Sequence, residues 1–330
     1  MEVGKFDPFD RMTFTYDKCF LCGDDLNAEN TSEEHVYPKW LQNKFNLWNQ
    51  RLDLLNKTTI KYKDLKIPCC KKCNGKMSAL FEKPIERAVE QGYDEFVKLD
   101  KDKIFLWLNK LSYGLLFKEL SLSINRAHPE DGTICDEEYL SQRKMQYTFL
   151  QSILSEKIEF SGKPYSMLLF KIKPDQHKYW AFDNPFTQTF FIRMNDIGII
   201  THLMDNAYNE NFFYEHPDML ELLNKPLHPI QFAEICAKFQ YKVSLFIRTP
   251  SYILSFNEDK KPQFIFSQQM GGIGYTDWSQ KDYAKVLAFF LEAWGVNFDD
   301  IYQEPDLVMS FLRNEDGTFK EISENQLKGE

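Results

Sequence analysis

A chain of 330 residues is long enough for two domains or one large one. Hydrophobic residues at 43% and aromatics at 15% can fill cores and exclude wholesale disorder, while 27% charged residues is an ordinary globular share. The net charge of −9 argues against nucleic acid lying along the whole chain, yet it is unevenly placed: residues 36–85 hold 11 Lys and Arg against 3 Asp and Glu, whereas residues 86–330 hold 26 against 37.

No basic patch followed by an apolar run opens the chain, so a signal peptide is not expected. The most apolar stretches, 104–117 and 286–296, are short and carry Asn109, Lys110 and Glu292, which argues against a membrane span. The expected location is the cytoplasm of a bacterium. In a reducing compartment CxxC pairs bind metal more often than they form disulfides.

In chain order, residues 13–16 and 19–22 read as a short strand entering a tight turn at Gly23, Asp24 and Asp25. Residues 42–56 read as a loop. Over 58–68, Ile60, Tyr62 and Leu65 interleave with Lys61, Lys63 and Lys66, a strand pattern with one slip of register. A helix is expected over 70–82, with Pro84 ending or restarting it and one or two turns leading to Gly92. Residues 100–124 keep helical spacing at Ile104, Leu108, Leu111, Leu115 and Leu120, with Asp100 as N-cap. A further helix is expected over 136–156.

The character then shifts. Stretches 165–173, 189–194, 198–204, 242–256 and 263–268 are rich in aromatic and branched residues and read as β. Residues 229–239 and 280–294 read as helices. His128-Pro129, His216-Pro217 and His228-Pro229 are turn or helix-start signals. The aromatic stretch 179–191 reads as core, and Gly271-Gly272-Ile273-Gly274, lacking the lysine of a phosphate loop, reads as a turn. The expected fold class is α+β. A small finger over 1–92 precedes a larger α+β region over 93–330, helical at 93–160, β-rich at 161–270 and helical again at 280–295.

Chemistry concentrates in the first quarter. Cys19-Phe20-Leu21-Cys22 and Cys70-Lys71-Lys72-Cys73 are separated by 47 residues. Two such pairs can close a tetrahedral thiolate shell around structural Zn²⁺, one pair from a turn and the other from a helix N-terminus whose dipole favours thiolate. Cys69 competes with Cys70, but the CxxC spacing favours Cys70. Cys135 and Cys236 stand alone and read as small core residues.

Between the pairs lies Glu34-His35-Val36-Tyr37-Pro38, and Asn74 follows the last cysteine. Taken together, the two CxxC pairs, Glu34-His35-Val36-x-Pro38 and Cys73-Asn74 resemble the HNH, or His-Me finger, nuclease family over about residues 16–85. The resemblance implies a zinc-stapled treble-clef finger of two strands and a helix clasping a second metal, the ββα-metal arrangement. It implies Glu34 and Asn74 as ligands of a catalytic Mg²⁺ or Mn²⁺, since a carboxylate and an amide oxygen are hard donors. It implies His35 as general base, because an imidazole can take a proton from water near neutral pH. The reaction expected is endonucleolytic hydrolysis of phosphodiester bonds, leaving a 5′ phosphate and a 3′ hydroxyl.

The family's middle residue, which orients the histidine, has two candidates here. Asn56 is preferred for an amide that both donates and accepts, and Asp64 lies nearer the cysteines. Ser78, one turn after Asn74, stands where the family often has another ligand, and Glu82 lies a further turn on. Lys61, Lys63, Lys66 and Lys76 are the candidate phosphate contacts. DNA is the expected partner. Residues 93–330 carry no catalytic signature and suit a protein partner or activator, a layout like that of bacterial restriction and phage-defence proteins. The competing reading is a zinc module that binds nucleic acid or protein without cutting.

Overall fold

The computed structural model describes residues 15–125, 127–134, 143–154, 159–247, 250–256, 262–268 and 274–322. The expectations made for residues 13–14, Cys135, the start of the 136–156 helix and the glycines at 271 and 272 lie outside them. The described chain is mixed α+β and divides into two units. Unit 1 comprises Met1–Gln91, Lys98–Ser161 and Tyr252–Phe266, and unit 2 comprises Gly92–Val97, Gly162–Ser251 and Ser267–Glu330.

In unit 1 the first CxxC pair sits in a turn rather than a strand. Gly23 N–H returns to Cys19 O at 2.9 Å, and Gly23 adopts a φ of 77°, a region open to glycine. Strand β1 (Thr31–His35) is followed by helix α1 (Lys39–Lys44), with Pro38 as its N-cap residue. The expected loop contains the rest of α1 and strand β2 (Arg51–Asp53), which pairs with β3 (Thr59–Lys61). A 3₁₀ turn, Tyr62–Asp64, then breaks the chain before β4 (Lys66–Cys70). That turn is the physical form of the register slip: the single expected strand is two, belonging to different ladders.

Strand β4 runs antiparallel to β1, Thr31 opposite Cys70 and His35 opposite Lys66. Cys70 is the last residue of β4 and the N-cap of helix α2 (Lys71–Met77), where its sulfur accepts from Cys73 N–H at 3.4 Å. Pro84 does not end the helix. A π-helical stretch, Ser78–Glu82, joins α2 to α3 (Lys83–Gln91). A widened turn there relieves the clash a proline makes with the carbonyl four residues earlier.

The short helix α4 (Tyr93–Phe96) belongs to unit 2, but the chain then returns to the finger as α5 (Lys101–Leu120), capped by Asp100, which accepts from Asp102 N–H at 2.9 Å. The unit that holds the finger takes in, besides Met1–Gln91, the stretches Lys98–Ser161 and Tyr252–Phe266, so it is larger than the expected 1–92. The reason is that α5 is buried on nearly every side, so it cannot be a solvated connector. At Gly114 an added Cβ would meet Val36 Cγ1 at 3.1 Å, so the glycine lets α5 lie against the chain just beyond β1. Helix α6 (Lys144–Gln151) grips the first cysteine turn: Tyr147 Oη donates to Phe20 O at 2.8 Å and Gln151 Nε2 to Leu21 O at 3.0 Å. Strand β5 (Glu159–Ser161) runs parallel to Pro262–Gln268, which lies beside Ser251–Phe256.

Unit 2 is built on a four-stranded antiparallel sheet, β6 (Ser166–Lys171), β7 (Tyr179–Asn184), β8 (Thr189–Met194) and β9 (Ile197–His202), in the order β6-β9-β8-β7. Helices α7 (Tyr208–Glu215), α8 (Pro217–Leu223), α9 (Pro229–Ser244) and α10 (Gln280–Leu291) follow. Phe170 and Ile200 of the sheet and Ile235 and Phe239 of α9 share one core. His216 and His228 are the N-cap residues of α8 and α9, and His228 forms a capping box with Gln231. Helix α9 runs through Ser244, so the β-character expected from residue 242 begins only at Ser251. Cys236 is fully buried in this core. No helix among the described residues is long and apolar enough to cross a membrane.

Candidate functional site

The four cysteines Cys19, Cys22, Cys70 and Cys73 bring their sulfurs within 4.8 Å of one another. A tetrahedron with Zn–S arms of about 2.3 Å has edges of about 3.8 Å, and Cys22 Sγ lies 3.8 Å from Cys70 Sγ. The donor set therefore fits a structural metal such as zinc. Hydrogen bonds from the neighbouring thiols, Cys22 first, pull the Cys19 thiol far below its ordinary value, while the same contacts push Cys22 and Cys73 above theirs, so the charge gathers on one sulfur. Cys69 is buried beside the cluster, directs its thiol to Cys70 O at 3.5 Å and is not one of the four.

The clasp places three elements together. Phe20 N–H of the cysteine turn donates to Pro68 O of β4 at 2.8 Å, and Lys71 N–H at the start of α2 donates to Asn30 O at 2.7 Å. Asn74 of α2 reaches β1, its Nδ2 donating to Ser32 Oγ at 2.8 Å. Ser32 and Glu34 are two residues apart, so they share a face of β1 and His35 takes the other. Glu34, His35 and Asn74 thus come from adjoining elements of one small body.

Their environments differ. The His35 side chain is only 3% exposed, its ring lies 5.7 Å from that of Trp48, and its Nε2 is buried without a hydrogen-bond partner. Burial, helped by the cations of Lys39 and Lys66, lowers its pKa from 6.5 to about 4. The ring is neutral at pH 7. An unfolded chain protonates His35 near its ordinary value, so this contribution to stability is present above about pH 6.5 and disappears as pH falls towards 4. Ring-proton NMR is expected to show a His35 midpoint near 4. The dependence of the urea midpoint on pH between 4 and 6.5 should be shallower in His35→Gln. A midpoint near 6.5 would contradict the burial described.

Glu34 carries an ion pair the sequence did not announce. Its carboxylate meets the ammonium of Lys110, from the middle of α5 and wholly buried. The same ammonium donates to His35 O at 2.6 Å, Val36 O at 2.9 Å and Glu82 Oε1 at 3.2 Å. Burial raises the Glu34 pKa against the pull of Lys110. On Lys110, burial pulls the other way but Glu34 and Glu82 outweigh it, and the amine is held above its ordinary pKa. The signal in the sequence was the lysine inside an apolar helix, since a fully buried ammonium needs anionic or carbonyl partners. Trp48, inside the expected loop, had no such signal.

Neither candidate for the middle residue touches His35. Asn56 Nδ2 donates to Ile124 O at 3.0 Å, and its Oδ1 accepts from Thr58 N and Oγ1, so a loop amide committed to its own turn and to the chain beyond α5 cannot orient the imidazole. Asp64 is exposed in the 3₁₀ turn. Of the candidate phosphate contacts, Lys66 pairs with Glu33 at 2.8 Å, Lys63 reaches Asn49 at 3.2 Å and Lys76 reaches Leu154 O at 3.4 Å. Lys61 has no ion pair among the described residues. All but Lys76 lie on the β3–β4 side of the finger.

The expected second metal meets a mismatch. Glu34 already holds the Lys110 ammonium, so with Lys110 in place its carboxylate does not fit a divalent ion. Unit 2 holds a cavity of about 660 Å³, walled by Trp180, Phe232, Phe290 and Trp294 and by the Arg193–Asp175 pair at 2.7 Å. No protein-family model, curated protein or solved structure matches the chain.

Proposed function

We propose that unit 1 is a zinc-stapled HNH-type finger that hydrolyses phosphodiester bonds in nucleic acid, DNA first, as an endonuclease. The observation that carries this reading is His35: a neutral imidazole with an unpartnered Nε2, flanked by the cations of Lys39 and Lys66. A neutral ring can accept a proton from an attacking water, and flanking cations suit a phosphodiester. An arriving phosphate adds negative charge beside the ring and raises its basicity. The clasp's part is to hold β1 and α2 in one register. A partner or activator acting through unit 2 belongs to the same reading.

Lys110 on Glu34 favours a second reading, a finger that binds nucleic acid or protein without cutting. The two separate in one experiment. The zinc-loaded full chain is incubated with supercoiled plasmid and with single-stranded DNA and RNA, with Mg²⁺ or Mn²⁺, beside His35→Ala. Loss of a general base is expected to slow cutting by about 10²–10⁴-fold, with circular dichroism and zinc content unchanged. Cutting by His35→Ala at the wild-type rate would remove the base from the mechanism. Retained gel-shift binding with no cutting by the wild type or by Lys110→Met, in which the ammonium at Glu34 is removed, would establish the second reading.

A further inference from the structure

We propose that the Lys110 ammonium occupies the cation position of the finger, so that Lys110 and a divalent ion exclude one another at Glu34 and Glu82. Four oxygens converge on Lys110 Nζ: Glu34 Oε1, Glu82 Oε1, His35 O and Val36 O. All are hard donors, the chemistry of a Mg²⁺, Mn²⁺ or Ca²⁺ site rather than a zinc site. An ammonium has three N–H groups for these four acceptors, so the cage is richer in oxygen than a lysine requires. The charge count points the same way. Two carboxylates facing one ammonium leave an excess negative charge, whereas two carboxylates facing a dication balance.

The dimensions explain why the lysine holds the place. The N–O distances to His35 O, Val36 O and Glu82 run from 2.6 to 3.2 Å, whereas Mg²⁺ needs about 2.0–2.1 Å to each oxygen. A divalent ion would have to contract the cage and displace a side chain anchored at the centre of α5. Gly114, one turn further along α5, fits against Val36, so the helix is seated where Lys110 reaches both carbonyls. The isolated chain therefore carries the cysteine-bound metal and no second divalent ion at Glu34. This inference concerns the regulation of the proposed nuclease site, but its test reads metal binding and not cutting, so failure of either leaves the other standing.

The test is a Mn²⁺ titration of the zinc-loaded full chain, followed by the electron paramagnetic resonance signal of free Mn²⁺. Wild type, Glu34→Gln, Lys110→Met and Lys110→Met/Glu34→Gln are compared. Wild type and Glu34→Gln are expected to bind Mn²⁺ alike. Lys110→Met should gain one site at least tenfold tighter than any in the wild type, lost again in the double variant, and Mn²⁺ should raise its thermal midpoint. A wild-type Mn²⁺ site that Glu34→Gln abolishes would overturn the proposal, as would a folded Lys110→Met chain that gains none. Should Lys110→Met not fold, Lys110→Gln is titrated in its place, and a Mn²⁺ site gained upholds the exclusion while a folded variant with none sinks it.

Discussion

Cys70→Ser is expected to leave the purified chain without zinc and its finger without a fixed structure. A structural zinc contributes on the order of 10 kcal/mol in finger-sized bodies, which is comparable to the whole stability of a domain, about 5–15 kcal/mol. Among the described residues before Gln91, the elements of the finger are too short to replace it. Strand β1 is five residues long, β2 and β3 are three each, and α2 is seven, lengths that do not persist without a core or a staple. Cys70 has a double role, because its sulfur also caps α2. Serine could still cap the helix but would not supply the fourth thiolate, so zinc content separates the two roles. Expected results are one zinc per wild-type chain, none in Cys70→Ser, and new proteolytic cuts between residues 15 and 91. Cys69→Ser, which alters a buried thiol outside the four-sulfur set, should keep its zinc. Zinc-free native protein would dissolve the clasp and the functional reading with it.

What is local is legible in the sequence. A CxxC pair sets its own turn, and a second pair at a helix start sets a cap, so the clasp was legible from spacing alone. Asp100 as N-cap, Thr189–Met194 as a strand and the His-Pro starts of α8 and α9 were legible for the same reason. Failures came where distant contacts override local preference. The run ending at Ser244 contains Tyr241 and Val243, residues that favour strands, yet both are buried on α9 and stay helical. Helix α7 was hidden by polar and aromatic residues without a clean apolar period, and α8 showed only its start. Strand β7 was hidden inside an aromatic stretch read only as core. Of the site, Glu34 and His35 lie on β1 and Asn74 on the adjoining α2, but no local pattern announces that Lys110, 75 residues beyond His35, donates to its carbonyl.

That long-range contact leads to the second large effect. Lys110→Met keeps the length and most of the volume of the side chain and removes its charge, leaving Glu34 and Glu82 facing each other in a buried pocket. Breaking a buried pair from one side is expected to cost about 3–5 kcal/mol, read as a lower urea midpoint for zinc release from unit 1. The cost should depend on pH. Without the ammonium, burial and the charge of Glu82 hold the Glu34 carboxyl above its unfolded pKa, so its contribution is full below about pH 4 and is lost as pH rises through the raised value. The variant should therefore approach the wild type at pH 5 and fall furthest behind at pH 8. Neutralising the acids as well, in Lys110→Met/Glu34→Gln/Glu82→Gln, should restore most of the loss and flatten the pH dependence, because a neutral pocket has no charge left to desolvate. A triple variant as unstable as Lys110→Met would mean that the two carbonyl bonds, and not the charges, are what Lys110 contributes. A single variant indistinguishable from the wild type would mean that the ammonium is not seated in the cage at all.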